Sequence, residues 1–260
     1  MITVVINTRN EQSNIVECIR SAKLLTNDVL VVDMHSTDQT VALAKSENAE
    51  VALFDYSGYV EPARLFGIKQ AKSQWVFILD ADERMTKELA LEIQQLLESP
   101  PKTTNDQNLI THYRIARKNI FGDTKWLSHG GWYPDYQTRL INKDKLVDWP
   151  ARIHSTPSIE GNKGHLNNPF IHYFHGNITQ MVNKTIKFEN VESDLLFDAK
   201  RKVNTLTFFR KYLGELFRRL IAQQGYLDGM IGWIESIYQA YSKTITYLFL
   251  FEKTNAKRKK

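Results

Sequence analysis

The segment spanning residues 75–84, WVFILDADER, constrains this chain more than any other. Its apolar run is too short for a helix and reads as a strand covered on both faces. The run stops abruptly at three acids, Asp80, Asp82 and Glu83. Carboxylates are costly to bury without partners, so they are expected at the carboxyl edge of a sheet, where the ligands of open α/β sheets collect. Two carboxylates separated by one small residue, Ala81, can hold a hard divalent ion that also bridges phosphate oxygens. A strand that simply turns with Asp and caps the next helix has the same local sequence. The rest of the chain has to decide between them.

The same texture recurs upstream. Residues 2–7, ITVVIN, predict a first buried strand, followed by the polar turn Thr8-Arg9-Asn10-Glu11. Ile15, Ile19 and Ala22 fall at helical spacing. Residues 28–33 form a second apolar run ending in an acid, and His35-Ser36-Thr37-Asp38 offers caps for a helix starting near Gln39. Residues 50–54 predict a third strand, 59–72 a helix, and 75–80 a fourth strand. Such alternation predicts a parallel sheet with helices on both faces. No G-x-G-x-x-G follows the first strand and no G-x-x-x-x-G-K-[ST] occurs anywhere, which weighs against a dinucleotide dehydrogenase and excludes a P-loop.

Residues 99–106, SPPKTTND, break the pattern. Beyond them, 109–121 alternates like an edge or hairpin strand and Gly122-Asp123 turns. Residues 126–140 are dense in aromatic and polar side chains, 149–173 suit short strands, and the chain from Asn177 reads as helical.

Composition narrows the class. A hydrophobic fraction of 42% and a charged fraction of 24% are ordinary for a soluble globular protein. One cysteine, Cys18, rules out an internal disulfide framework; it sits in a helical pattern beside Ile15 and Ile19, as a small core residue would. The chain opens directly into a strand without a basic leader, and no window suits a membrane-spanning helix. A cytoplasmic, reducing location is therefore expected. Charge is unevenly placed: residues 200–260 carry +9 while 1–199 carry −4.

Four stretches together resemble the family 2 glycosyltransferases of the GT-A fold: VVINTRNE, VLVVDMHSTDQT, the helix EPARLFGIKQAKSQW, and FILDADE. The third is similar to an a-R-N-x-G-x-x-x-A pattern through Ala63-Arg64 and Gly67. A second resemblance, over residues 126–251, runs through WLSHGGWYPDYQTRL, RIH and HY to bacterial enzymes that glucosylate the lipopolysaccharide core. The fold implied is a mixed α/β GT-A sheet with helices on both faces and a C-terminal helical extension. Residues 1–100 would form the nucleotide-sugar half, 101–176 the acceptor half, and 177–260 a basic amphipathic tail.

The resemblance implies a metal-dependent, inverting hexosyltransferase. Thr8, Arg9, Glu11, Asp33, Arg64, Asp80 and Ala81 would contact the nucleotide sugar, and Asp82 with His172 would hold Mg²⁺ or Mn²⁺. The family often carries a second acid after the position of Asp33; here Met34 stands there. Inversion by one displacement requires a base on the acceptor side, and Asp135 in GGWYPDYQ is the candidate. His129, Trp132, Tyr133 and Arg139 would meet the acceptor. His154 follows Arg152-Ile153 where related enzymes carry His-Glu, and Ser155 replaces that acid.

In the tail, Phe209, Leu213, Leu216, Phe217, Leu220 and Ile221 recur at helical spacing, interleaved with Arg210, Lys211, Arg218 and Arg219. Such a helix can lie in an anionic membrane interface, or pack as a hairpin on the catalytic part. The expectation is an enzyme peripheral on the inner face of the cytoplasmic membrane, acting on a saccharide or lipid-linked acceptor of the cell envelope. The rival closest in chemistry is a polyprenyl-phosphate sugar synthase. A sugar nucleotidyltransferase would need a Gly-rich first loop that Thr8-Arg9-Asn10-Glu11 lacks. A nucleic-acid-binding protein is opposed by the acidic body and the lack of any known module.

Overall fold

The computed structural model describes residues 1–99, 109–122, 124–152, 155–174 and 178–258. Its contacts divide the chain into two units, one of residues 1–117 with 135–172, the other of 118–134 with 173–260. Each is described by itself.

The first unit begins with strand β1 (Ile2–Thr8), helix α1 (Ile15–Ala22), β2 (Val29–Asp33), α2 (Thr40–Ser46), β3 (Glu50–Leu53), α3 (Glu61–Gln70) and β4 (Trp75–Asp80). The four strands lie parallel in the order β3-β2-β1-β4. The expected alternation is therefore present. β1 and β2 are buried along their whole lengths, as continuous apolar runs covered on both faces must be. Side chains alternate across the sheet: Val4, Ile6, Val31, Phe77 and Leu79 face α1 and the helix α4 (Lys87–Glu98). Val5, Val32, Val76 and Ile78 face α3 and Trp149. Thr86 caps α4 by accepting a hydrogen bond from the Leu89 amide at 3.2 Å. Cys18 is fully buried in the first of these layers.

α3 lies unusually close to the sheet at Gly67. A Cβ built there would stand 2.5 Å from a Val5 methyl and 2.8 Å from one of Val32. Only glycine lets the helix backbone seat that low, and this fixes the height of Arg64 one turn earlier.

After α4 the sheet reverses. β5 (Glu83–Arg84), which precedes α4, is a two-residue strand; β6 (Ile110–Phe121) pairs antiparallel with β8 (Asp135–Asn142), which pairs antiparallel with β4. The short β7 (Lys125–Trp126) pairs with the far end of β6. β9 (Leu146–Asp148) and β10 (Ser158–Ile159) form a separate ribbon, β11 (Asn162–His165) runs parallel to β6, and β12 (Phe170–Phe174) pairs with β5. The expected turn residue Asp123, the His154 that follows Arg152-Ile153 and most of the 99–106 break lie outside the described residues.

The second unit is dominated by helices α5 (Ile178–Asp198), α6 (Thr205–Phe217) and α7 (Gly229–Arg258), with α5 and α6 both packed on α7. An Asn204–Thr207 capping box starts α6. A π-turn at Arg218–Ala222 and a 3-10 turn at Gly225–Asp228 link it to α7. Among the described residues no helix is long and apolar enough to cross a membrane. The outward row of α6, Leu206, Phe209, Leu213 and Phe217, is more than half exposed.

Candidate active site

The strand register assembles the site. Parallel pairing sets Asn7 beside Asp80 and Thr8 beside Asp33, so the polar ends of β1, β2 and β4 share one edge of the sheet. Both polar atoms of the Asn7 amide, the Thr8 hydroxyl and Oδ1 of Asp80 are buried there with no hydrogen-bond partner among the described residues. A buried polar group left unpaired costs about 1–3 kcal/mol. Several at one strand edge make sense where a ligand supplies the missing partners.

Other residues expected at the nucleotide are already tied into loop structure. Asp33 is fully buried; its carboxylate accepts from the Ser36 amide at 2.8 Å and the Ser36 hydroxyl at 2.5 Å. Arg9 donates to the Met34 carbonyl at 3.0 Å and stacks 3.4 Å over the Tyr56 ring. Glu11 opens α1: its carbonyl accepts from Asn14 and Ile15, and its carboxylate from the Asn14 side chain at 2.7 Å. Ala81 is buried, and its carbonyl accepts from Arg84 at 2.8 Å. These contacts shape the rim of the edge.

Below it lies a network of alternating charge. Asp80 accepts from Arg64 at 2.6 Å and from Arg139 at 3.1 Å; Arg139 also donates to Glu83 at 2.5 Å. Glu83 in turn accepts from the Asp80 amide at 3.0 Å and has Arg117 at 3.6 Å. Burial would push the Asp80 carboxyl up, but Arg64 and Arg139 outweigh it and hold it well below the usual carboxylate range. Glu83, with no exposed side-chain surface, is raised by its burial and by Asp80 beside it. The Arg139 guanidinium, although burial opposes its charge, is pushed up by Glu83 and Asp80. Arg139, expected to meet the acceptor or to pair with a neighbouring acid, is paired with two acids. Its side chain is 2% exposed and its guanidinium is committed to two carboxylates. Strand alternation turns position 139 inward, and a guanidinium in the interior requires counter-charges.

Asp82 stands just beyond this network with His172 Nε2 at 3.5 Å, both side chains partly exposed. The pairing of β12 with β5, which sets His172 opposite Glu83, brings the histidine here. Among the described residues no three His, Cys, Asp or Glu side chains form a cage for a metal ion. A carboxylate and an imidazole, with the unpartnered Oδ1 of Asp80 nearby in sequence, make a partial oxygen and nitrogen donor set. That suits a divalent cation whose remaining ligands are phosphate oxygens.

Asp135 opens β8 in register with Arg117 on β6. Its carboxylate is gripped by Arg117 Nε at 2.8 Å and a terminal nitrogen at 2.7 Å, and by the Gln137 amide at 2.7 Å. Because Arg117 also reaches Glu83, a chain of contacts links Asp135 to Asp80. The first unit thus brings together Arg64, Asp80, Asp82, Asp135, Arg139 and His172.

His129, Trp132 and Tyr133 belong to the second unit. Both the ring Nδ1 and the amide of His129 contact the Asp228 carboxylate, at 2.9 and 2.8 Å, and Ser128 donates to it at 2.9 Å. The Gly130 amide donates to the Gln223 carbonyl and Arg219 to the Gly130 carbonyl. Trp132 lies 4.6 Å from the Phe174 ring and 5.4 Å from the Arg219 guanidinium; Tyr133 packs edge-on to Trp126 at 5.3 Å. Ser128 and His129, through Asp228, and Gly130, through Gln223, tie their loop to the segment before α7.

The sequence did not mark Asn7 or Arg117 as site residues, and it gave Glu83 no role beyond that of an acid at the sheet edge. Asn7 had a signal, a polar residue closing an apolar strand, but Arg117 sits in an alternating strand that looks like any amphipathic edge.

The family model for "Glycosyl transferase family 2" matches residues 3–154. An uncharacterized glycosyltransferase of Rickettsia conorii, RC0292, is 27% identical over 256 residues, covering 93% of this chain and 86% of that protein. The lipopolysaccharide core biosynthesis glycosyltransferase LpsC of Rhizobium meliloti is 26% identical over 259 residues, covering 94% and 89%. Among solved structures, S. aureus TarS in complex with UDP overlays with a TM-score of 0.49 at 14% identity, covering 98% of this chain and 91% of that one.

Proposed function

The chain belongs to glycosyl transferase family 2, and on that premise we propose that it moves a hexose, with inversion, from a nucleotide-diphosphate sugar to a saccharide or lipid-linked acceptor of the cell envelope. The observation that carries this is the sheet edge where Asn7, Thr8 and Asp80 present buried, unpartnered polar atoms beside Arg64. Buried hydrogen-bonding groups beside a guanidinium suit a ligand that carries both polar groups and negative charge, as a nucleotide diphosphate does.

In this reading Thr8, Arg9, Asp33 and Asn7 border the nucleoside, while Arg64 lies against the diphosphate. Asp82 and His172 would hold Mg²⁺ or Mn²⁺, which supplies Lewis-acid neutralisation of charge on the leaving diphosphate. Arg139 is a positioning residue: it keeps Asp80 ionised and fixed from beneath. Asp135, held by Arg117 and Gln137, takes the proton of the acceptor hydroxyl as that oxygen bonds to the anomeric carbon and the diphosphate leaves from the opposite face. No covalent sugar–enzyme intermediate is formed.

The LpsC relative supports a cell-envelope acceptor. The outward apolar row of α6, with Arg210 and Lys211 in the same helix, supports peripheral attachment to an anionic membrane. Each basic residue held near such a surface adds about 1 kcal/mol.

The test is a thermal-shift and hydrolysis panel of UDP-, GDP- and dTDP-sugars with Mn²⁺ on the wild type and Asp82→Ala. Metal-dependent stabilisation by one donor, lost in the variant, is expected. If no donor binds with metal present, the acidic edge is a structural strand end and the transferase reading falls.

A further inference from the structure

The first unit contains a cavity of about 410 Å³ whose lining is cationic and aromatic. Its volume lies in the range of roughly 300–1,000 Å³ typical of small-molecule sites. Arg64, His112, Arg114 and Lys163 contribute to its wall, with the rings of Tyr136 and Trp149. None of the described residues lining it is an Asp or Glu.

The charges in this wall are not equivalent. Arg64 and Arg139 are balanced by Asp80 and Glu83. Arg114 donates to a neutral acceptor, the Tyr136 carbonyl, at 2.7 Å. Among the described residues no ion pair includes Arg114 or Lys163. Lys163 stands in register beside His112 across the β11–β6 pairing. Burial first, and then the Lys163 charge, lowers the proton affinity of His112. Two cations without counter-charges at one cavity form a site for an anion.

The cavity also has a defined place beside the chemistry. Arg64 lines it and bonds Asp80 at 2.6 Å, while Gln137 lines it and bonds Asp135 at 2.7 Å. A molecule seated here lies next to both the donor edge and the candidate base. The Arg64 guanidinium faces the Trp149 ring at 5.4 Å, and Arg114 faces Tyr136 at 5.7 Å. Aromatic faces beside guanidinium groups suit a sugar ring that carries a negative charge.

We propose that this cavity is the acceptor subsite, and that it selects a sugar bearing an anionic substituent, a phosphate or a carboxylate, through Arg114 and Lys163. Its placement as an acceptor site rests on the transferase reading above. The anion preference rests on the cavity alone.

Isothermal titration of the full chain with glucose 6-phosphate, glucuronate and methyl glucoside tests it, using wild type, Arg114→Gln, Lys163→Gln and the exposed control Lys72→Gln. The two anionic sugars should bind at least about tenfold more tightly than the neutral one, and each cavity variant should lose about tenfold for them, the size of one charge-assisted contact. Lys72→Gln should change nothing. Comparison of glucose 6-phosphate with glucuronate identifies which anion the cavity prefers. Equal affinity for all three sugars, unchanged anion binding in both cavity variants, or equal loss in Lys72→Gln would overturn the proposal. A nucleotide-sugar thermal shift on the same samples separates the two claims. Donor binding without anion preference overturns this inference alone; anion preference without donor binding keeps the anion site and overturns its role as an acceptor subsite.

Discussion

Replacing Arg139 by methionine tests the charge network most directly. The substitution keeps roughly the volume of the side chain and removes a guanidinium that is 2% exposed and bonded to Glu83 at 2.5 Å and Asp80 at 3.1 Å. Asp80 retains Arg64 at 2.6 Å, but Glu83, with no exposed side-chain surface, is left with the Asp80 amide at 3.0 Å and the more distant Arg117 guanidinium at 3.6 Å. Breaking a buried pair by removing one partner costs about 3–5 kcal/mol, because the other charge stays buried. Urea denaturation at pH 7 should show a loss of that size. The pH dependence follows in sign. Glu83 already has its folded-state affinity for protons raised by burial, and without Arg139 it rises further, so the native state binds more protons than the unfolded chain. Stability of Arg139→Met should therefore fall as pH rises above the ordinary carboxylate range and recover as pH is lowered toward it. Adding Glu83→Gln should return about 1–3 kcal/mol, since a neutral amide needs no counter-charge. A loss under about 1 kcal/mol in Arg139→Met, independent of pH and not relieved by Glu83→Gln, would refute the assignment of Arg139 as the buried counter-charge.

Three further outcomes are expected. Asp135→Asn should lower kcat by about 10²–10⁴ with little change in donor affinity; near-full activity in steady-state assays would favour an acceptor, such as a lipid phosphate, that needs no base. Gly67→Ala should destabilise by about 1–3 kcal/mol in thermal or urea melts, because its new methyl would stand 2.5 Å from Val5 and 2.8 Å from Val32 in a packed layer. Glu235, 1% exposed on α7, has its carboxyl pushed up to about 7 by burial. Its folded value lies above the unfolded one, so it contributes instability that grows as pH rises from the ordinary Glu range through about 7. Glu235→Gln should thus stabilise at pH 8 by up to about 3 kcal/mol and change little at pH 4, as read by paired denaturation curves.

What the sequence determined by itself was everything that depends on local pattern. Apolar runs of strand length ending in polar residues, at intervals filled by helical periodicity, leave few arrangements other than parallel strands with their acids on one edge. Asp33, Asp80 and Asp82 could be placed there because the end of a strand is readable in the chain. The helical C-terminal region was legible for the same reason. Tertiary structure decided which charges meet. Glu83 stood in the sequence as one of three acids at a strand end, yet the reversal of the sheet after β4 buries it against Arg139 and Arg117. For Arg139 the sequence left open an acceptor contact or a neighbouring acid, and strand alternation turns its guanidinium onto Glu83 and Asp80. His172 reaches Asp82 only because β12 pairs with the two-residue strand β5, across nearly ninety residues of chain. The partners of a charged side chain are set by antiparallel register between distant segments, and no short-range periodicity encodes that register. A sequence can therefore announce that a site has acids, while the fold alone determines which of them are neutralised beneath it and which are left facing the ligand.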